Sequence, residues 1–279
     1  MRFKKKGKMT MMMYMLFPDA KRKALTFSYD DGVEQDARLM EIFNKHGLKG
    51  TFNLNGQPLE TAEYTWPEGT IHRRMGYKMA LETYGGELGK NHEIAIHSYT
   101  HPFLDRIPCP IANYEVAKDR EVLEKLFDRL IRGCAYPMGT FSDMTVDVLR
   151  DNGIAYARTT VSTGNFSIPT DWLRMPATCH HKDPRFEQLT ETFLKGNPGP
   201  WDTPWLYYVW GHAYEFDADN NWELIENACE KLGGHDDSGT PPTWRSTSTW
   251  RPTAPCTSRW KVRSSTTPRP FPCGSSTRV

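Results

Sequence analysis

What most limits the folds open to this chain is a repeated exchange between short β-prone runs and amphipathic helical runs. Ala24 to Tyr29 is apolar and β-prone, Val33 to His46 carries Leu39, Ile42 and Phe43 at helical spacing before the stop signal Gly47, and Thr51 to Leu54 returns to strand. The exchange recurs. Helices are expected over 79–88, 114–130, 144–152, 186–195 and 222–232, and strands over 93–96, 133–136, 153–157 and 205–210. Val116, Leu123, Leu126 and Leu130 mark one helix as amphipathic, and Gly233-Gly234 closes the last. Strands joined through helices cannot pair as hairpins, so the pattern predicts a parallel sheet covered by helices, an α/β fold. With 279 residues and 38% hydrophobic content the chain can bury one sizeable core of this kind, a length common among single α/β barrels.

The first strand ends in Asp30-Asp31-Gly32, two adjacent carboxylates and a glycine. Neighbouring strand residues point to opposite faces, so both acids reach one pocket only if the strand stops there and turns at Gly32. Taken alone, the segment reads first as a solvated Asp-Asp-Gly turn. Downstream, the strand over 93–96 runs into His97 and His101, four apart. Such a pair binds one divalent ion when it lies on a helical turn, and an acid from another strand end completes the set. Cys179-His180-His181 also suggests a metal, but adjacent histidines diverge, which favours one pocket residue and one structural residue. His46, beside Gly47, reads as a helix C-terminal cap, and the cationic run Ile71-His72-Arg73-Arg74-Met75 as a solvated loop, with a substrate-cleft lining as the alternative.

Taken in order, these residues resemble a known family. Asp30-Asp31-Gly32 after Thr26-Phe27, His97-Ser98 with His101, Tyr136-Pro137-Met138-Gly139, and Val209-Trp210-Gly211-His212 resemble four motifs of the polysaccharide deacetylases with the NodB-homology domain, the family four carbohydrate esterases. The resemblance spans Leu25 to Leu232 and implies an irregular (β/α) barrel of the NodB-homology type, with residues 14–234 as the catalytic domain. It implies that Asp31, His97 and His101 bind one divalent metal, zinc in first place, with Co2+, Ni2+ or Mn2+ also compatible. Asp30 would then be the base that takes a proton from the attacking water, and His212 the acid that protonates the leaving group. The bland reading of His212 is a core histidine satisfied by backbone. The backbone N–H near Met138 would donate to the oxyanion, with Tyr136, His180 and Trp172 bordering the substrate. Two departures stand out: Ala135 occupies the place of the family's motif-three arginine, and only Asp171-Trp172 represents its Asp-x-x-Asp-Trp motif. The implied function is a metal-dependent hydrolase that removes acetyl groups from an N- or O-acetylated carbohydrate. Alternatives are a hydrolase of C–N bonds in cyclic amides or ureides, and a non-catalytic carbohydrate-binding relative.

Charge excludes other classes. The body mixes its charges with a small acidic excess, which offers no nucleic-acid surface. Residues 1–13 form a basic, Met-rich extension that imitates a secretory signal but lacks a convincing cleavage site, and its apolar run is too short to span a membrane. A cytoplasmic location and reduced, mostly buried cysteines are expected, since the six cysteines show no close pairing. The tail is different. Residues 235–279 hold 7 basic and 2 acidic residues, and Ser, Thr and Pro make up more than half of them. Codons permitted for Ser238 to Thr243, preceded by one added base, spell Ile-Trp-Tyr-Ala-Thr-Asn, and the same shift carried onward yields an amphipathic helix. Residues 235–279 are therefore expected to be a frameshifted, disordered tail, and the barrel to lack its last strand and helix.

Overall fold

The computed structural model describes residues 16–60, 65–199, 202–236, 238–240 and 243. The expected N-terminal extension and nearly all of the tail lie outside these residues. In chain order the elements are β1 (Lys23–Asp30), α1 (Asp36–Lys45), β2 (Gly50–Leu54), α2 (Gly56–Leu59), α3 (Tyr77–Tyr84), β3 (Glu93–Ile96), α4 (Cys109–Phe127) and β4 (Gly133–Ala135). They continue with α5 (Asp143–Asp151), β5 (Tyr156–Ser162), β6 (Met175–Ala177), β7 (Cys179–His180), α6 (Phe186–Lys195), β8 (Trp205–Gly211), α7 (Tyr214–Ala218), α8 (Trp222–Leu232) and β9 (Ser238–Gly239).

All the strand pairings are parallel, in the order β6-β5-β4-β3-β2-β1-β8-β7, with β9 also on β1. The two end strands of that order are one residue apart in sequence. Thr178, between them, donates its N–H to the Tyr208 carbonyl at 2.8 Å and receives the Tyr208 N–H on its hydroxyl at 3.0 Å. Residues 175–180 thus pair with β5 on one side and β8 on the other, and a nearly closed parallel barrel results. Neither β6 nor β7 is legible in the sequence, because each is only two or three residues long. The fifth strand starts at Tyr156 rather than 153, since Gly153 takes a positive φ of 71° and serves the preceding turn.

Side chains sort by strand alternation. Phe27, Tyr29, Tyr207 and Val209 face outward into the main core with the helices, where Phe27 stacks on Phe43 of α1 at 4.6 Å. Leu206, Tyr208 and Trp210 form a second cluster with Ala24, Tyr156, Met175 and Ala177. That cluster fills the barrel. β1 is buried along its whole length, as expected of a central parallel strand. His46 is the C-cap of α1, and Gly47 follows with φ 68°, a conformation that favours glycine. Among the described residues of the tail, only the two of β9 form a strand, while Thr243 is buried and hydrogen-bonded to Thr51 at 2.9 Å and Thr26 at 3.3 Å. No helix among the described residues is long and apolar enough to cross a membrane.

Candidate active site

The site lies where the strands end. Asp30 is the last residue of β1, and its even-numbered side chain points into the barrel with Ser28. Asp31 leaves the strand with φ 79° and Gly32 follows with φ 66°. This left-handed pair turns the second carboxylate onto the rim instead of the opposite face. Gly32 is required there twice over, since its φ disfavours a side chain and an added Cβ would lie 3.2 Å from Leu54 Cδ2.

His97 begins the turn after β3. Its N–H is shared by the Leu54 carbonyl at 2.8 Å and the buried Asp119 carboxylate at 2.9 Å, and the Asn55 amide donates to the carbonyls of His97 and Ser98 at 2.7 Å each. The two histidines do not sit on a helical turn, as their spacing suggested. Ser98 and His101 adopt φ of 63° and 64°, so the loop coils through left-handed positions to bring both rings to one point.

His97 Nε2 and His101 Nε2 are 3.1 Å apart, and Asp31 Oδ1 is 3.7 and 3.5 Å from them. Ligand atoms around a tetrahedral zinc, with bonds of about 2.0–2.2 Å, lie about 3.3–3.6 Å apart. His97 Nδ1 is 2.9 Å from the Ala135 carbonyl, which only accepts, so the proton sits on Nδ1 and the Nε2 lone pair faces the trio. These three residues fit a divalent metal. Burial alone would raise the Asp31 carboxyl, but the His72 hydrogen bond, with His97, His212 and Arg74 nearby, holds it well below the usual carboxylate range. Burial, with His97 beside it, lowers His101 to about 4, and burial lowers His97 as well, so both are neutral and able to ligate near pH 7.

Asp30 does not join the trio. Arg158 forms a buried ion pair with Oδ2, and Asn53 Nδ2 donates to Oδ1 at 2.8 Å. Burial opposes ionisation of Asp30, yet Arg158, His97 and His212 reverse this and lower its pKa. In the β4–β5 register Arg158 lies directly beside Ala135, so the guanidinium absent from position 135 is supplied from the next strand. Sequence reasoning missed Arg158; the available signal was a lone charge in a strand otherwise free of charged residues.

His212 follows β8. Its Nε2 is 4.0 Å from Asp30 Oδ2, while its Nδ1 and backbone N are 3.2 and 3.1 Å from Glu215 Oε2. Burial disfavours the charged ring, but the Glu215 hydrogen bond and the charges of Asp30 and Asp31 outweigh it and raise the pKa. Glu215, in α7, was also missed, although its three-residue offset from His212 across a strand-to-helix junction was a signal. His180 Nε2 is 3.2 Å from the same Glu215 oxygen. Its Nδ1 accepts the Lys182 N–H at 3.0 Å, so the His180 proton is on Nε2 and points at Glu215. His180, His212 and Glu215 lie close enough to suggest a second metal, but this tautomer makes them a hydrogen-bonded group.

His181 is buried between Tyr29 and Phe216, with ring centroids 5.7 and 4.3 Å away. Met138 is 53% exposed at φ 56° in the turn after β4. The Tyr136 hydroxyl donates to the Leu173 carbonyl at 2.8 Å and its ring stacks on Phe141 at 5.1 Å, which places that side chain in the outer core. Trp172 packs on the barrel-filling cluster, and Asp171 pairs with Arg174 at 2.6 Å.

A family model described as polysaccharide deacetylase matches residues 18–157. The chain is similar to the uncharacterized protein YlxY of Bacillus subtilis (strain 168), 24% identical over 152 residues, or 54% of this chain and 42% of that protein. It therefore spans less than half the length of that curated relative. Among solved structures it is similar to a putative polysaccharide deacetylase from Mycobacterium smegmatis, with TM-score 0.59, 15% identity, and 85% of this chain and 93% of that one covered. It is also similar to the family 4 carbohydrate esterase from Streptomyces lividans solved in complex with acetate, with TM-score 0.50, 13% identity, and 76% and 89% covered. At these identities the solved structures establish the shared fold.

Proposed function

Because the chain belongs to the polysaccharide deacetylase family, we propose that it is a metal-dependent hydrolase that removes acetyl groups from an N- or O-acetylated carbohydrate. One observation carries this reading. Beside the Asp31, His97 and His101 trio, Asp30 is held ionised by Arg158 and faces, at 4.0 Å, a histidine whose pKa is raised by Glu215. A base that stays deprotonated and an acid that stays protonated at one pH are what hydrolysis of an amide or ester requires.

A divalent metal held by Asp31, His97 and His101, zinc by the nature of the donors, would polarise the acetyl carbonyl and acidify the attacking water. Asp30 accepts the proton from that water on a lone pair not used by Arg158 or Asn53. His212 turns its Nε2–H toward the leaving amine or alcohol, because Glu215 holds the other ring nitrogen. As His212 gives up its proton, the ring becomes neutral, and Asp30 is near enough to return one for the next turnover. The backbone N–H near Met138 would donate to the oxyanion, as the resemblance implies.

Acetate release from chitin oligomers, peptidoglycan fragments and acetylxylan, with added zinc and after chelation, tests the proposal. Chelator-sensitive acetate release from at least one of them is expected. Ring opening of a cyclic imide or ureide without any acetate release would replace it by the alternative hydrolase class.

A further inference from the structure

The chain places one more residue at the trio that its motifs do not include. Residues 71–75 lie against the turn that carries Asp31. Met75 N–H donates to Gly32 O at 2.9 Å, Glu34 N–H to Arg73 O at 2.8 Å and Gln35 Nε2 to Ile71 O at 2.8 Å, and Val33 bridges Arg74 antiparallel. These are contacts of the 71–75 backbone, so position 72 stays beside Asp31 whatever side chain it bears. His72 Nε2 lies 3.1 Å from Asp31 Oδ2, and its ring packs on Tyr214 at 4.5 Å. An ionised carboxylate only accepts, so His72 is the donor.

The two oxygens of Asp31 are thereby divided. Oδ1 faces His97 and His101 at 3.7 and 3.5 Å, with Arg74 Nη2 at 3.4 Å, and Oδ2 is taken by His72. On the metal reading given above, we propose that His72 is a positioning residue, one that commits Asp31 to a single oxygen toward the metal and keeps a coordination position open for water and the acetyl group. Without that donor the carboxylate is left with Arg74, whose long contact is to Oδ1, and Oδ2 is free to swing toward the metal so that both oxygens bind or the group turns away. Partners of this kind around metal ligands are typically worth about 10–100-fold in affinity.

Zinc affinity of the full chain, measured by competition with a chromophoric chelator, tests the assignment in four proteins. The wild type should bind one zinc tightly, and Asp31→Ala should lose the site. His72→Phe keeps a ring to pack on Tyr214 but cannot donate, and should bind about 10–100-fold more weakly. His72→Gln restores an N–H donor and should return most of the loss. Cobalt-substituted His72→Phe should show a visible spectrum changed from the wild type, as the released carboxylate alters the coordination, and His72→Gln should restore it. Equal affinity of His72→Phe and wild type overturns the role of His72 alone, as does a His72→Gln as weak as His72→Phe. An unchanged cobalt spectrum in His72→Phe overturns the assignment too. A wild type with no tight site overturns the metal reading and this inference together.

Discussion

Two adjacent aspartates with opposite duties define the chemistry at the scale of single residues. Asp31 is turned by its positive φ toward two neutral imidazoles, whereas Asp30 stays in the barrel and pairs with Arg158. Asp31→Ala is therefore expected to abolish metal binding. Asp30→Asn should keep the metal while activity falls by about a hundredfold or more, measured as metal content against turnover on the same preparation. Full activity in Asp30→Asn would remove the base assignment. His212 is active as an acid when protonated, so it governs the alkaline limb of the pH profile. The Glu215 anion raises its pKa, and Glu215→Gln should lower it and move that limb of kcat/KM to lower pH. A limb that does not move would assign it to another group.

At the scale of elements, the groups that support the acids come from neighbouring elements rather than from the strands that carry them. Position 135 on β4 bears alanine, and the arginine that holds Asp30 projects from the adjacent residue of β5. Arg158→Ala leaves a buried carboxylate without its cation, which is expected to cost about 3–5 kcal/mol of stability and most of the activity. The double variant Ala135→Arg with Arg158→Ala puts the charge one strand away on the same inner face. It should recover part of both losses in a thermal melt and an activity assay, and no recovery would mean that the β5 trajectory itself is needed. The partner of His212 comes in the same way from α7, a five-residue helix just beyond β8.

On the scale of the whole molecule, the ring is closed by residues 175–180, and the lower end of β1 is met by β9 and Thr243. We propose that the chain from Ser238 onward is read in a shifted frame. Restoring one base would replace Ser238 to Thr243 by Ile-Trp-Tyr-Ala-Thr-Asn, a sequence suited to a longer strand at the position where β9 has two residues. Each large apolar side chain fully buried contributes about 1.5–3 kcal/mol before entropy, so a few of them rival the net stability of a domain. The restored protein should melt cooperatively and at a higher temperature by calorimetry. An intact frame in independent clones of the source DNA, with a melt unchanged by deletion of the tail, would sink the idea.

Local chemistry carried the sequence a long way. Helices at 186–195 and 222–232 and the strand at 93–96 coincide with α6, α8 and β3, because each is an uninterrupted amphipathic or apolar run bounded by stop signals. Asp30, Asp31, His97, His101 and His212 were legible because each sits at or just past a strand end, where a parallel barrel gathers its functional side chains. The sequence could not place β6 and β7, whose pairing depends on Thr178 meeting a strand about thirty residues later. Nor could it name Arg158, Glu215 or His72 as partners of Asp30, His212 and Asp31. Their spacing along the chain has no fixed relation to the distance between them, and only the closing of the barrel and the laying of residues 71–75 against the Asp31 turn bring each charge to its neighbour.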